Sequence, residues 1–374
     1  GQDFDQKKGK RKTQGVYYTP AFVTQYMVDV ALGGYLKRKE QELTEQLQLD
    51  HIPQQATKQR REAETQFWEA YRDVLLKTRV IDPACGSGAF LIAAFDYLNR
   101  EYERVNEALA ALEFASQTKG KGSGAIVGQR SVFDLNKTLL NENLHGVDLS
   151  PESVEITKLS LWLKTAEQGK ALTYLDDNIK VGNSIVADPR LDPRGFDWEA
   201  EFPQVFADGG FDVVIGNPPY VRQELLSPIK PYLKKHYESY DGVADLYTYF
   251  YEKGLKILKP DGVLSYIVTN KWFKAGYGEP LRRFFAQNSV LDQILDFGHA
   301  PIFADADVFP CIVAIRKPIV QASSLESIDN SQPVGQASSL QSVGGENRQS
   351  SSGQQSRQDA CTLSLIHISE PTRP

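Results

Sequence analysis

The sequence predicts an α/β protein with a doubly wound, mostly parallel sheet of seven strands. Short apolar, β-branched runs alternate with amphipathic helical segments between residues 79 and 316, a pattern typical of strands that helices cover on both faces. Glycine-rich or polar loops follow several of these runs, at the strand ends where ligands bind in such folds. The composition changes on either side of this region, which predicts an N-terminal helical extension and a disordered C-terminal tail.

These changes divide the chain into four predicted segments. Residues 1–14 are a polar, basic linker, and residues 15–78 are a helical region. Apolar side chains at helical spacing predict helices over 21–50 and 58–77, separated at Pro53. The α/β domain follows at 79–318, and a low-complexity tail occupies 319–374.

The elements of the α/β domain follow from runs of apolar and β-branched residues and the turns between them. The predicted strands are residues 79–81, 144–147, 179–181, 211–215, 263–268, 290–297 and 308–316. The predicted helices are residues 90–98, 151–164, 246–258 and 279–287, with a turn at 260–262.

The tail is rich in Ser, Gln, Gly and Asn and repeats the string QASSL at 321–325 and 336–340. This composition cannot bury enough apolar surface to offset chain entropy, so disorder is expected. The final string LSLIHISEPTRP resembles translated sequencing-adapter read-through, which suggests an assembly artefact. Met27 is the sole methionine, and the chain is therefore expected to begin inside a longer gene product.

Composition narrows the functional class. The chain has 374 residues and a formal net charge of −6, with no apolar run long enough for a membrane span. Three scattered cysteines favour neither a disulfide framework nor a metal site. We therefore expect a soluble, cytoplasmic enzyme without a bound metal. The mild acidity argues against a broadly basic surface, although it leaves room for a local nucleic-acid groove.

The first informative loop is residues 82–90, DPACGSGAF, between a predicted strand and helix. Its glycines permit a tight turn and close backbone approach to a ligand, and Asp82 favours a cationic partner such as an amino group. The loop lacks the third glycine of the dinucleotide-binding motif, and no Gly-Lys-Ser/Thr follows. Neither a Rossmann dehydrogenase nor a P-loop NTPase therefore fits.

Asp148 directly follows the second predicted strand. An acidic residue at this position of an α/β nucleotide-binding unit commonly accepts hydrogen bonds from both ribose hydroxyls. An N-capping role is the alternative, since Ser150 and Pro151 begin the next helix.

The third loop is Asn217, Pro218, Pro219 and Tyr220, after the strand FDVVI. Two consecutive prolines remove backbone donors and hold the chain extended. The Asn217 side-chain oxygen and the Pro218 carbonyl can each accept an N–H from an exocyclic amine, which frees its lone pair to attack a methyl sulfonium. Tyr220 is expected to stack on the base. A proline-rich strand-terminating turn is the alternative.

The chain resembles gamma-class, TaqI-like DNA adenine-N6 methyltransferases, including the modification modules of type IIG restriction-modification enzymes. The resemblance covers roughly residues 15–317. The motifs that carry it, in order, are GVYYTP (15–20), the 82–90 loop, Asp148, Asn183, NPPY (217–220), DLYTYFYEK (245–253) and KPDG (259–262).

The resemblance implies the class I methyltransferase fold, S-adenosylmethionine as cofactor and double-stranded DNA as partner. It also implies roles for individual residues. The implied catalytic residues are Asn217, Pro218, Pro219 and Tyr220. The implied cofactor-binding residues are Thr19, Pro20, Asp82, Pro83, Ala84, Gly86, Gly88, Asp148, Asn183 and Phe250. The family position of Asn183 is more usually Asp.

The N6 amine of adenine lies inside the duplex, so the target nucleotide must be flipped out and stacked on aromatic side chains. The resemblance implies Tyr220 and Phe303 for this stacking, with Phe309 as a rival. Phe309 and Cys311 are expected in the core. Basic residues 222–236, with Tyr232 and Tyr237 interleaved, predict either phosphate contacts or a solvated face.

Three functions stay open at this point. The leading one is adenine-N6 methylation of DNA in a restriction-modification system, with target-recognition and nuclease domains fused or separate. The second is methylation of a protein glutamine amide or an RNA base amine. The third is a fragment that binds cofactor without catalysis.

Overall fold

The computed structural model describes residues 19–117, 132–166, 173–298, 300, 302–303, 309–319 and 365–367. The predicted basic linker, Tyr17 and Tyr18, and the QASSL repeats lie outside these residues. The helices, in chain order, are α1 (Ala21–Val28), α2 (Gly34–Gln46), α3 (Thr57–Lys77), α4 (Ala89–Gln117), α5 (Val132–Thr138), α6 (Pro151–Thr165), α7 (Trp198–Glu201), α8 (Pro203–Ala207), α9 (Lys230–His236), α10 (Tyr247–Ile257) and α11 (Glu279–Asn288).

The seven predicted strands all form, and they belong to one sheet. The strands are β1 (Val80–Asp82), β2 (Leu144–Asp148), β3 (Ile179–Val181), β4 (Phe211–Gly216), β5 (Leu258–Thr269), β6 (Val290–Asp296), β7 (Pro310–Arg316) and an additional β8 (Leu365–His367). Their order is β3-β2-β1-β4-β5-β7-β6-β8, in which only β7 runs antiparallel to its neighbours. The predicted doubly wound, mostly parallel sheet is confirmed.

The structure differs from the predicted elements at three places. The predicted turn at 260–262 lies within β5, where Asp261 has a φ of 64° and the pairing with β4 shifts between Phe211 and Val213. The helix predicted over 90–98 continues to Gln117, because apolar residues at helical spacing recur along its whole length. Within the predicted tail, β8 pairs in parallel with β6 and forms the edge of the sheet.

The helical extension packs tightly on the α/β domain through α4. A π-helical turn, Asp29–Gly33, joins α1 to α2. A Cβ atom at Gly33 would lie 2.7 Å from the Tyr97 hydroxyl of α4, so glycine allows this approach. The sequence pattern predicted one continuous helix over 21–50 and did not reveal this turn.

Two apolar clusters cover the two faces of the sheet. One joins α1–α4 and α6 to the sheet and contains Met27, Leu91 and Ile267. The other packs α10, α11 and the segment before β4 on the opposite face, with Trp198, Tyr247 and Leu264. Both faces of β4 are buried, as its continuous β-branched sequence predicted.

A buried carboxylate fastens the helical extension to the amino end of β4. Asp212 accepts hydrogen bonds from the Tyr35 hydroxyl at 2.8 Å and the Arg79 backbone N–H at 2.7 Å, and it pairs with the Lys259 ammonium at 3.0 Å. Burial, followed by the Asp212 charge, raises the pKa of Tyr35, so its hydroxyl stays protonated and donates. These bonds connect residues that are far apart in sequence.

Replacing Tyr35 with Phe should therefore lower the free energy of unfolding by about 1.5–3 kcal/mol, the loss expected for a hydrogen bond to a charged acceptor. Urea denaturation measures this change. Tyr26→Phe is the matched control, because the Tyr26 hydroxyl forms no hydrogen bond to another described residue. An equal loss in both variants would contradict the role assigned to the Asp212 contact.

Candidate functional site

The predicted site residues gather at the carboxyl edge of the sheet. Strands β1, β2 and β4 are neighbours and run in the same direction. Asp82 and Asp148 are the last residues of β1 and β2, and Asn217 directly follows β4, so the three lie at adjacent strand ends. A Cβ atom at Gly216 would lie 2.5 Å from Asp82 Oδ1, which shows how closely β4 approaches this carboxylate. Residues more than 130 positions apart therefore line one edge.

The glycine-rich loop is held in a defined shape by hydrogen bonds. The Cys85 N–H donates to the Val147 carbonyl at 3.0 Å, and the Thr157 hydroxyl donates to the Gly86 carbonyl at 2.9 Å. Gly86 and Gly88 have φ values of 55° and 83°, which favour glycine. A Cβ atom at Gly86 would meet nothing within 4 Å, so the loop leaves open space there.

Asp82 is a buried carboxylate at the start of this loop. It is 1% exposed, and its Oδ1 accepts the Ala84 N–H at 3.0 Å. Burial raises its pKa to about 8, while the Ala84 hydrogen bond lowers it and the nearby Asp148 charge raises it further. Among the groups that shift this pKa none is a cation, so the position suits a positively charged ligand group.

Asp148 is oriented by two backbone donors. Its Oδ2 accepts the Gly86 N–H at 2.9 Å, and its Oδ1 accepts the Ser150 N–H at 2.8 Å. Burial raises its pKa, and these hydrogen bonds act in the opposite direction. Each carboxylate oxygen can accept a second hydrogen bond, which leaves capacity for two ligand hydroxyls. The N-cap of α6 is Ser150, whose side chain accepts from the Ser153 N–H, so Asp148 is not the cap.

Asn183 follows β3 and uses its side chain within its own loop. Its Nδ2 donates to Asp192 Oδ2 at 2.8 Å, and its Oδ1 accepts the N–H groups of Ile185 and Val186. Asp192 therefore places a carboxylate beside the side-chain amide of Asn183, at the position where the family more usually has Asp. The predicted contact of Asn183 with a cofactor adenine stays a prediction.

Asn217 follows β4 and contacts a residue of the N-terminal extension. Its Nδ2 donates to the Thr19 hydroxyl oxygen at 3.1 Å. Its Oδ1 is buried and has no hydrogen-bond partner among the described residues. Such an orphan acceptor is costly in a folded protein and is typical of a position where a ligand supplies the donor.

Tyr220 is braced from two sides. Its hydroxyl donates to the Ile267 carbonyl of β5 at 3.2 Å, and its ring meets Tyr247 edge to face with centroids 6.3 Å apart. The Tyr247 hydroxyl is 3.0 Å from that of Tyr277. The tyrosine is half-buried, so the ring has a fixed orientation and retains exposed surface.

The other predicted residues lie around this edge with different degrees of burial. Pro83 accepts the Ser184 hydroxyl at 2.6 Å, and Pro20 accepts the Val23 N–H at 3.0 Å. Phe250 of α10 is 5% exposed and belongs to the apolar cluster against which Ala84 packs. Pro218 is buried, and Pro219 is half-buried.

Phe303 is 5% exposed and belongs to the opposite cluster, that of the helical extension. Residues 301 and 304–308 on either side lie outside the described part of the chain. The stacking role of Phe303 opposite Tyr220 stays a prediction. The catalytic and cofactor-binding roles of the other site residues stay predictions as well. Cys311 lies fully buried in β7, where the sequence predicted a core residue.

Two positioning contacts escaped the sequence analysis. Asp245 Oδ1 accepts the Gln223 N–H at 3.2 Å, and the Leu246 N–H donates to the Val221 carbonyl at 3.0 Å. Together they hold the segment that follows Tyr220. The string DLYTYF marked this place, but nothing in it indicated the partner.

The basic segment on and before α9 exposes most of its charged side chains but not both of its interleaved tyrosines. Lys234, Lys235 and His236 are exposed. Tyr237 is buried and donates to the Ile185 carbonyl at 2.7 Å, while Tyr232 accepts the Ala187 N–H and stacks on His236. The two tyrosines therefore serve internal contacts, and the charged side chains form the accessible surface.

Two absences concern the described residues alone. They include no group of three or more His, Cys, Asp or Glu side chains placed to hold a metal ion. None of their helices combines the length and apolar character needed to cross a membrane.

Comparison with known proteins identifies similar sequences. Residues 142–303 match the model of the Eco57I restriction-modification methylase family. The Escherichia coli type II restriction enzyme and methyltransferase RM.Eco57I is 28% identical over 259 residues, covering 65% of this chain and 25% of that protein. The Geobacillus stearothermophilus type II methyltransferase M.BstVI is 37% identical over 262 residues, covering 67% and 40% respectively.

Among solved structures, the type IIL restriction-modification enzyme MmeI in complex with DNA superimposes with a TM-score of 0.53 at 14% identity. The match covers 82% of this chain and 38% of MmeI, and it shows a shared fold. The chain thus matches about a quarter to two fifths of the length of these relatives. The resemblance to restriction-modification methyltransferases predicted from the motifs is confirmed.

The raised pKa of Asp82 leads to a prediction for stability. The folded state holds this proton more tightly than the unfolded chain, so the favourable contribution is complete below about pH 4 and is lost as pH rises towards 8. Asp82→Asn keeps an acceptor for the Ala84 N–H and carries no charge. Without cofactor, its free energy of unfolding should exceed that of the wild type at pH 8.5 by roughly 1–3 kcal/mol.

Denaturation of both proteins from pH 5 to pH 8.5 measures this difference, which should widen with pH. Asp50→Asn, at an exposed position, is the control and should run parallel to the wild type. Parallel curves for Asp82→Asn would show that the Asp82 carboxylate is not under this strain.

Proposed function

Because residues 142–303 are similar to Eco57I-type restriction-modification methylases, we propose that this chain methylates DNA at the N6 amine of adenine. The methyl donor is S-adenosylmethionine, and the biological setting is a restriction-modification system. The orphan Asn217 Oδ1 is the observation that carries the proposal, since it is an acceptor in need of a donor at the predicted catalytic position.

The residues present fit the proposed cofactor. The Asp148 carboxylate retains two acceptor sites for ribose hydroxyls. The buried Asp82 carboxylate suits the cationic amino group, and Gly86 leaves open space beside it. The cofactor supplies a methyl group activated on a sulfonium. The chain itself has to bind and orient the two reactants, since no covalent step on the protein is needed.

Asn217 and Pro218 account for the amine specificity. An aromatic exocyclic nitrogen delocalises its lone pair into the ring and is a weak nucleophile. Acceptance of one N–H by Asn217 Oδ1 and the other by the Pro218 carbonyl draws the nitrogen towards tetrahedral geometry. The lone pair then becomes available to form the bond to the methyl carbon in place of the carbon–sulfur bond of the donor. The two acceptors orient the N–H groups by hydrogen bonding alone, and the proton that the methylated nitrogen loses passes to water.

Tyr220 provides the aromatic surface on which the flipped adenine stacks. An adenine reaches such a site only after it is flipped out of the duplex, and stacking offsets part of the cost. The Tyr220 ring, fixed by Ile267 and Tyr247, offers a preoriented face. We place Phe303 on the other side of the base, which requires its ring to become uncovered when DNA binds.

Two other functions compete with this one. A protein glutamine amide or an RNA base amine would satisfy the same two acceptors, and a fragment could bind cofactor without transferring the methyl group. The matched relatives named type II methyltransferases favour DNA. Target-recognition and nuclease domains in the complete protein, and a cytoplasmic location, are further parts of the proposal.

Transfer of labelled methyl groups distinguishes these functions. The chain is incubated with labelled cofactor and DNA, RNA or protein, and the DNA hydrolysate is examined for N6-methyladenine. Asn217→Ala should lower the rate by about 10²–10³-fold, as loss of a preorganised polar contact does. Tyr220→Ala should lower it by roughly 5- to 150-fold through loss of stacking worth about 1–3 kcal/mol.

Tyr220→Phe is the matched control, because it keeps the ring and removes the hydroxyl that donates to the Ile267 carbonyl. It should retain most of the activity. Wild-type rates in both alanine variants would refute the roles proposed for Asn217 and Tyr220. Label found in RNA or protein alone would favour methylation of an RNA base or a glutamine amide over methylation of DNA.

The exposed lysines of α9 lead to a separate prediction. Reversing the charge of Lys234 and Lys235 should weaken DNA binding and lower the slope of log affinity against log salt by up to about 2, one phosphate contact each. Fluorescence anisotropy over a salt series measures both quantities. Lys37→Glu with Lys58→Glu, exposed on α2 and α3, changes the net charge equally and serves as control. Equal behaviour of the two double variants would remove α9 from the interface.

A further inference from the structure

We propose that Thr19 is a positioning residue that orients the side-chain amide of Asn217 towards the target amine. This inference rests on the proposed function, since it concerns how Asn217 meets an exocyclic N–H. The motif resemblance implied only a cofactor contact for Thr19. The geometry assigns it a second partner, within the catalytic loop.

The contact is direct and shielded from water. Asn217 Nδ2 lies 3.1 Å from Thr19 Oγ1, and Thr19 is 5% exposed. The two residues are separated by 198 positions in the chain, so only the tertiary fold brings them together. Nothing else among the described residues forms a hydrogen bond with the Asn217 amide, whose oxygen is the orphan acceptor described above.

Thr19 is held in place by the helix that follows it. The Val23 and Thr24 N–H groups both donate to the carbonyl of Pro20, the residue between Thr19 and the first residue of α1. Val23 and Met27 of α1 are almost fully buried in the cluster that contains α4. The hydroxyl is therefore presented from a packed helix start, and its position does not depend on the loop it contacts.

The orientation of the amide decides whether Asn217 can act. An adenine amine offers only N–H donors here, so Asn217 must present its oxygen. A rotated amide would direct two further donors at the amine and leave them unsatisfied. The bond from Nδ2 to Thr19 occupies the amide nitrogen and leaves Oδ1 facing the other way. In the structure this bond holds the amide with Oδ1 as the unpartnered acceptor, which is the orientation that an amine donor requires.

This role predicts a kinetic pattern that a cofactor contact does not. Thr19→Val keeps the shape and removes the hydroxyl. The single-turnover rate at saturating cofactor should fall about tenfold, the size of one lost hydrogen bond, and saturation removes any effect of the substitution on cofactor affinity. Thr19→Ser should restore the rate. In an Asn217→Ala background, Thr19→Val should have no further effect, because the two residues act as a unit.

A second measurement does not depend on which substrate is methylated. In protein labelled with ¹⁵N-asparagine, the side-chain NH₂ signal of Asn217 is identified by its loss in Asn217→Ala. Its hydrogen exchange should accelerate severalfold in Thr19→Val and return to the wild-type rate in Thr19→Ser. This readout tests the contact even if the wild type fails to methylate DNA, an outcome that would refute the proposed function alone.

Two results would overturn the inference. One is an unchanged NH₂ exchange rate in Thr19→Val. The other is a rate at saturating cofactor that stays at the wild-type value while cofactor affinity falls, which would make Thr19 a cofactor contact only. Circular dichroism and thermal melting of each variant confirm that α1 remains folded.

Discussion

The close contact between β1 and β4 at Asp82 and Gly216 is the constraint on which the site depends. Any side chain at 216 would collide with the Asp82 carboxylate, since a Cβ atom would lie 2.5 Å from its Oδ1. Glycine lets the two parallel strands end side by side. The loop that offers a carboxylate and the loop that offers an amide oxygen thereby open onto the same edge of the sheet.

The helical extension completes this edge, although it precedes the sheet in the chain. Tyr35 binds the buried Asp212 at the opposite end of β4, and Gly33 lets the π-helical turn approach Tyr97 of α4. These contacts fasten α1 and α2 to the domain. Thr19 is thereby delivered to Asn217 as part of a packed helix start, which a flexible arm could not do with the same accuracy.

The charges and unpaired acceptors at the carboxyl edge of the sheet favour binding of a ligand. Burial raises the pKa values of both Asp82 and Asp148, and the Asp148 charge raises the pKa of Asp82 further. Asn217 adds a buried acceptor that has no partner among the described residues. Local arrangements that oppose stability in this way are expected at functional sites, where a bound ligand supplies the missing charge and donors.

Much of this was determined by the sequence alone. The seven strands, their order along the chain and the loops at 82–90 and 217–220 follow from β-branched runs and local turn chemistry, which depend on neighbouring residues. Short-range patterns carried no information about the π-helical turn at Asp29–Gly33, the burial of Tyr237, the enclosure of Phe303 or the bond between Thr19 and Asn217. Each of these depends on contacts between distant segments, and only packing in three dimensions decides which distant side chains meet.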